Sequence, residues 1–235
     1  ILPLSYLPKF LIYIISDFLY IFLGRILKYR NKIITKNLVN SFPEKSKKEI
    51  YQLKNNFYRH FCDLIIESIS GFSISKKSIE QKITINNQKL INEFAEQGQN
   101  IILIGGHYNN WEMTAQRMPL VFMHEVFAIY KPLKNKFFDS KMKLSREKFG
   151  LKMISMKETK SYFNNKTNIP RAIIFGSDQS PSNSKKAYWS KFLNQDSAFL
   201  YGAEKYAKSF NWPVIYVSIN KIKRVYYSVD YQLIT

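Results

Sequence analysis

Short runs rich in β-branched and aromatic residues alternate with stretches of helical periodicity, and this alternation constrains the chain more than any other feature. The β-rich runs cover residues 101–104, 126–130, 172–175, 214–219 and 225–231. Helical candidates lie at 87–96, 111–118, 136–149 and 199–210. Such a pattern predicts an α/β fold, a mixed central sheet with flanking helices. In open sheets of this class, reactive residues gather where strands end and loops turn into helices. Upstream, residues 46–70 read as one long helix. Ile50, Leu53, Phe57, Phe61, Leu64 and Ile65 recur there at spacings of mostly three and four, and Gly71 is the expected stop.

The N-terminus is apolar. Residues 10–23 carry the run FLIYIISDFLYIFL, extended by Leu2, Leu4 and Leu7 before it and by Ile26 and Leu27 after it. A spanning helix needs about 20 apolar residues. Lys9 and Asp17 interrupt this one, so a spanning helix, a helix lying in the membrane interface and a buried core helix all remain open readings. Arg25, Lys28, Arg30, Lys32 and Lys36 follow at once, a basic flank that favours the cytoplasmic side and attracts anionic lipid. A cleaved signal peptide is not expected, because the charges follow the apolar run and no small-residue cleavage site is present. The chain therefore divides into a membrane-associated N-terminal helix over residues 1–30 and a folded domain over residues 31–235.

With 36 Lys and Arg against 17 Asp and Glu, the formal charge is +19, so polyanionic partners are expected. An AT-rich genome would also enrich Lys, Asn and Ile together. Nucleic acid is not among the expected partners, since zinc-finger spacing, a recognition helix and RNP-type aromatics are all missing from the sequence. The single cysteine, Cys62, excludes an internal disulfide.

The chemistry concentrates in the stretch IILIGGHYNNWEMTAQ, residues 101–116. An apolar strand runs into Gly105 and Gly106, read as a tight turn, then His107, then Asn110 as a helix N-cap, then Glu112. On one continuous helix, residues five apart would point about 140° away from each other. A working His107–Glu112 pair thus requires His107 in the turn and Glu112 in the first helical residues. There, a neutral imidazole takes a proton from a hydroxyl while the carboxylate holds the other ring nitrogen. The substrate hydroxyl is then the nucleophile, and no G-x-S-x-G elbow is present to supply another. His60, Asp63 and Glu67 share a helix face, but a hydrogen-bonded or solvated polar face is the ordinary reading, and neither a metal nor a cofactor is expected.

Several further segments extend the pattern. They are the leader LIYIISDFLYIFLGRILKYR, then NLVNSFPEKS, FYRHFCDLIIESI, GGHYNNWE, the YKP triplet at Tyr130 to Pro132, GSDQSP from Gly176 to Pro181, and FLNQDSAFLYGAEKYAK from Phe192 to Lys208. Together, in this order, they resemble the late (secondary) acyltransferases of lipid A biosynthesis, in a form similar to that of Bacteroidetes-type bacteria and of the lauroyl/myristoyl-transferase type. The resemblance implies a glycerolipid-acyltransferase-like fold. It implies transfer of a fatty acyl chain from an acyl carrier protein thioester to a hydroxyl of a phosphorylated glucosamine disaccharide, on the cytoplasmic face of the bacterial inner membrane. It makes His107 and Glu112 the catalytic pair and places Lys131, Asp178, Gln179, Asn110 and Arg146 at the substrate site. Lys131 stands where many relatives carry Arg, keeping the charge without the planar fork. The chain begins with Ile rather than Met and ends in a β-like run where relatives continue, so the domain is expected to be incomplete at its C-terminus. Two alternatives stay open: an acyltransferase acting on a lysophospholipid or aminolipid, and a non-catalytic protein that binds anionic lipid.

Overall fold

The structure is a computed structural model that describes residues 2–165, 167–181, 183 and 187–235. Its helices are α1 (Leu2–Ser5), α2 (Lys9–Tyr20), α3 (Asn31–Ser41), α4 (Lys47–Gly71), α5 (Lys76–Lys82), α6 (Gln88–Glu96), α7 (Trp111–Arg117), α8 (Lys136–Glu147), α9 (Thr159–Asn164) and α10 (Gly202–Phe210). Its strands are β1 (Ile83–Ile85), β2 (Ile101–Gly105), β3 (Glu125–Tyr130), β4 (Lys152–Ser155), β5 (Arg171–Gly176), β6 (Tyr188–Phe192), β7 (Gln195–Phe199), β8 (Val214–Lys223) and β9 (Tyr226–Leu233). The chain parts into two units, Ile1–Ser73 with Ser184–Ala198, and Ile74–Asn183 with Phe199–Thr235.

In the first unit the long helix α4 starts where its sequence provides a cap. The Ser46 hydroxyl accepts from the Glu49 N–H at 3.3 Å, and the Glu49 carboxylate accepts from the Ser46 N–H at 2.9 Å. This capping box satisfies two backbone donors that an uncapped helix leaves open. Helix α2 lies on α4 through Ile12, Ser16 and Tyr20, all buried, and the Ser16 hydroxyl donates to Asp63 Oδ1 at 2.8 Å. Tyr20, Tyr58 and Cys62 form the small core. On the other side of α2, Phe10, Ile14 and Phe18 recur every four residues and remain exposed. The apolar run does not continue as one α-helix. It becomes a π-helix over Ile21–Ile26, and Lys28 and Arg30 then take left-handed backbone angles. Among the described residues, no single helix is long and apolar enough to cross a membrane. Phe10–Ile26 and Asn31–Ser41 together have that length and composition, but the pair is bent by 87°.

The second unit is built on the expected mixed sheet, seven strands in the order β1-β9-β8-β2-β5-β3-β4. Only the β8–β9 pairing is antiparallel. Parallel strands covered on both faces read as continuous apolar runs. Accordingly, Ile101, Ile102 and Leu103 in β2 and Ala172 and Ile173 in β5 are completely buried. The core around Ile102, Phe127, Ile154 and Ile173 is closed by stacked aromatics, with the Phe163 ring 4.0 Å from Tyr206 and 5.0 Å from Trp212. The register sets Gly105 opposite Gly176 at the C-terminal ends of β2 and β5, and the Ser177 N–H donates to the Gly105 carbonyl at 2.9 Å. These paired strand ends carry the site.

Candidate active site

Between the end of β2 and the start of α7, five residues change the chain's direction. The turn is not made by the glycines. Neither Gly105 nor Gly106 has a positive φ; the left-handed residue is Asn109, at 52°. Asn tolerates this conformation better than most side chains. The buried amide of Asn109 donates to the Ile219 carbonyl at 2.7 Å, which ties the loop to β8. Asn110 caps α7 as its sequence position predicts, its side-chain oxygen accepting from the Met113 N–H at 3.0 Å. That oxygen therefore holds the helix start.

His107 is met by Asp178. The imidazole Nδ1 lies 2.6 Å from Asp178 Oδ1, and the His107 backbone N–H donates to Asp178 Oδ2 at 2.8 Å. One carboxylate thus fixes both the ring and the backbone of the same residue. Burial pushes the Asp178 carboxyl up, but the hydrogen bonds from the His107 ring and backbone outweigh it, and the net shift is downward. An ionised carboxylate only accepts, so the Nδ1 proton points at Asp178, and in the neutral imidazole the lone pair lies on Nε2. A third of the imidazole side chain is open to solvent.

Two glycines make room for this pair. A Cβ on Gly176 would sit 2.7 Å from His107 Cε1, and one on Gly106 would sit 3.3 Å from Asp178 Oδ2. Their function is close approach rather than backbone freedom.

Glu112 is placed in the first turn of α7, as expected, but the expected contact with His107 is not made. Both of its oxygens turn to Arg146 on α8, which donates from Nε to Oε2 at 2.9 Å and from a terminal nitrogen to Oε1 at 2.6 Å. The pair is largely withdrawn from solvent, with side chains 14% and 18% exposed, so its charges are only weakly screened. Desolvation works against the Arg146 charge, and Glu112 more than compensates, raising its pKa. The planar fork expected to meet substrate is thus occupied within the protein. Trp111 links the two pairs: the His107 ring meets it edge-on at 4.6 Å, and the Arg146 guanidinium lies 5.4 Å from the indole centroid.

Lys131 and Gln179 are exposed, the first just past the end of β3 and the second just past Asp178. The structure therefore joins His107 to Asp178 and Glu112 to Arg146, and leaves Lys131 and Gln179 on the open surface. Sequence reasoning assigned no role to Gly176 and Asn109. A glycine two residues before a strand-end acid and the first Asn of an Asn-Asn step were the available signals. No group of three or more His, Cys, Asp or Glu suited to a metal occurs among the described residues.

A family profile described as bacterial lipid A biosynthesis acyltransferase matches residues 1–232. The chain belongs to that family. The protein is an acyltransferase, and it transfers an acyl group onto a lipid. This removes the non-catalytic lipid-binding reading. No curated protein sequence matches the acyltransferase significantly.

Proposed function

We propose that the acyltransferase moves a fatty acyl chain, of the lauroyl or myristoyl class, from an acyl carrier protein thioester to a hydroxyl of a phosphorylated glucosamine disaccharide precursor of lipid A. The observation that carries this reading is the His107 imidazole held through Nδ1 by Asp178 at 2.6 Å. Nε2 takes the proton of the acceptor hydroxyl as its oxygen attacks the thioester carbonyl. The imidazolium is stabilised by Asp178 and then gives the proton to the leaving thiol as the C–S bond breaks. The enzyme forms no covalent intermediate.

Glu112 enters this mechanism through Arg146 and Trp111, fixing the wall against which His107 stands. Lys131 supplies a point charge for an acceptor phosphate or the thioester oxyanion, and Gln179 a polar contact beside it. The +19 charge favours encounter with both an acidic carrier and a phosphorylated glycolipid. The exposed Phe10, Ile14 and Phe18 face of α2 and the basic residues after it support residence on the cytoplasmic face of the inner membrane.

The deciding experiment incubates the purified protein with acyl carrier thioester and, in parallel, the disaccharide, a lysophospholipid or an aminolipid. Mass spectrometry should find one added acyl chain on the disaccharide alone. Acylation of either other lipid in its place would transfer the activity to that acceptor. His107→Ala should abolish turnover and keep membrane association.

A further inference from the structure

The eight residues that follow β3, Lys131 to Phe138, are all exposed. They include three lysines and no acid. Leu133 is 50% exposed, Phe137 66% and Phe138 46%, and Leu144, about two turns beyond Phe137 along α8, is 61% exposed. Scattered apolar residues on a surface are ordinary, but a cluster of this size marks an interaction site.

The segment is held in shape. Asn135 Oδ1 accepts from the N–H groups of Phe137 at 3.0 Å and Phe138 at 3.2 Å, capping α8. Asp139 Oδ1 accepts from the Leu133 N–H at 2.7 Å, closing the turn in front of the helix. The rings of Phe137 and Phe138 meet edge-on at 5.8 Å, and Lys141 Nζ lies 5.6 Å from the Phe137 centroid. The apolar side chains are thus displayed in advance, so binding requires little further ordering.

Its position gives the display a purpose. Strands β2, β5 and β3 are parallel neighbours, so the segment leaves the same sheet edge as His107. Two strand spacings separate β2 from β3, about 10 Å. A partner seated on this rim lies beside the reacting centre, and the acceptor is a lipid. Apolar side chains interleaved with lysines match a bilayer interface, where rings and aliphatic groups enter below the headgroups and ammonium groups stay at phosphate depth. An acidic protein would match the lysines but would need an apolar patch of its own to cover the rings, whereas a bilayer supplies both at once.

We propose that residues 131–144 form a preformed docking surface for anionic lipid, through which the catalytic sheet edge itself contacts the membrane, separately from the N-terminal apolar face. The proposal rests on the lipid acceptor, and on neither the donor nor the particular lipid acylated.

The test uses the full chain carrying an environment-sensitive fluorophore on one introduced cysteine, Phe137→Cys or, on the opposite sheet edge, Ile169→Cys. Native Cys62 is buried, and burial pushes its thiol up to about 11, so labelling is selective. With vesicles of phosphatidylcholine and phosphatidylglycerol, the label at 137 should shift to the blue and be quenched by lipid-borne nitroxides, while the label at 169 should not. Lys134→Glu combined with Lys136→Glu should weaken partitioning at low salt by at least about thirtyfold, about fivefold for each lysine lost, before the repulsion of the two added carboxylates. The same double variant should keep its transfer rate on detergent-dispersed acceptor, which separates a failure of docking from a failure of the proposed reaction. A label at 137 that stays in water on vesicles carrying the bound protein would overturn the proposal. So would protection by acyl carrier protein in place of lipid.

Discussion

Replacing Asp178 with Asn tests which carboxylate serves His107, and the size of the effect follows from two contacts. The first contribution is charge. An imidazolium and a carboxylate with charge centres about 4 Å apart attract by about 1 kcal/mol in water and about 4 kcal/mol at an effective dielectric of 20. The Asp178 side chain is 44% exposed. Solvent screening therefore selects the lower part of that range, about 1–2 kcal/mol. The second contribution is hydrogen bonding. Asp178 accepts twice, from the ring at 2.6 Å and from the backbone N–H at 2.8 Å, whereas Asn has one accepting and one donating end. With the amide nitrogen against the backbone, two donors face each other. With it against the ring, Nδ1 must accept, the proton moves to Nε2, and the base is lost. Either arrangement costs about 1–3 kcal/mol. The combined 2–5 kcal/mol corresponds to a fall in kcat between about thirtyfold and a few thousandfold. Thiol release from an acyl thioester in the presence of acceptor measures it directly. Near-normal turnover in Asp178→Asn, together with collapse in Glu112→Gln, would refute the reasoning and return the partner role to Glu112.

Gly176→Ala should lower kcat at least about tenfold with a stability loss of about 1–3 kcal/mol, because the new methyl would displace the imidazole. Unchanged turnover would show that the ring has another seat. Glu112→Leu and Arg146→Met should each destabilise the fold by about 2–4 kcal/mol by stranding a largely buried charge, and the double variant should recover much of the loss. Strictly additive denaturation free energies would disprove that coupling. Burial lowers the pKa of His124, whose Nε2 lies 3.0 Å from the Gln99 carbonyl oxygen. Its contribution should be whole above the ordinary value of 6.5 and decline as pH falls through the lowered one, since the unfolded chain takes the proton first. His124→Gln should flatten the dependence of urea midpoints on pH below neutrality, and an unaltered slope would count against this.

Long periodic elements were legible without coordinates. The apolar spacing over residues 46–70 and the stop at Gly71 locate α4 within a residue or two, and the apolar runs locate five strands of the seven-stranded sheet. Strands β1 and β4 span only three and four residues, too short for a period of two to register. In β6 every residue is exposed, so burial imposes no alternation on it. At the site, His107, the cap at Asn110 and the acid at Asp178 were all marked as functional positions. Which acid meets the imidazole was not legible, because Asp178 lies 71 residues from His107 and only the pairing of β2 with β5 brings the two together. Nor does a Gly-Gly step reveal whether it bends the backbone or clears space, since both needs select the same residue.

The loop between β2 and α7 is pinned at three of four consecutive positions: His107 to Asp178, Asn109 to β8, and Asn110 to the helix it caps. An inserted or deleted residue there would have to release at least one anchor, so the interval from His107 to Glu112 measures the gap between a strand end and a helix start, whether or not its two end residues meet. Diversification toward other acyl chains or acceptors must then run through segments that bear no such ties. The reacting centre is closed to changes of length.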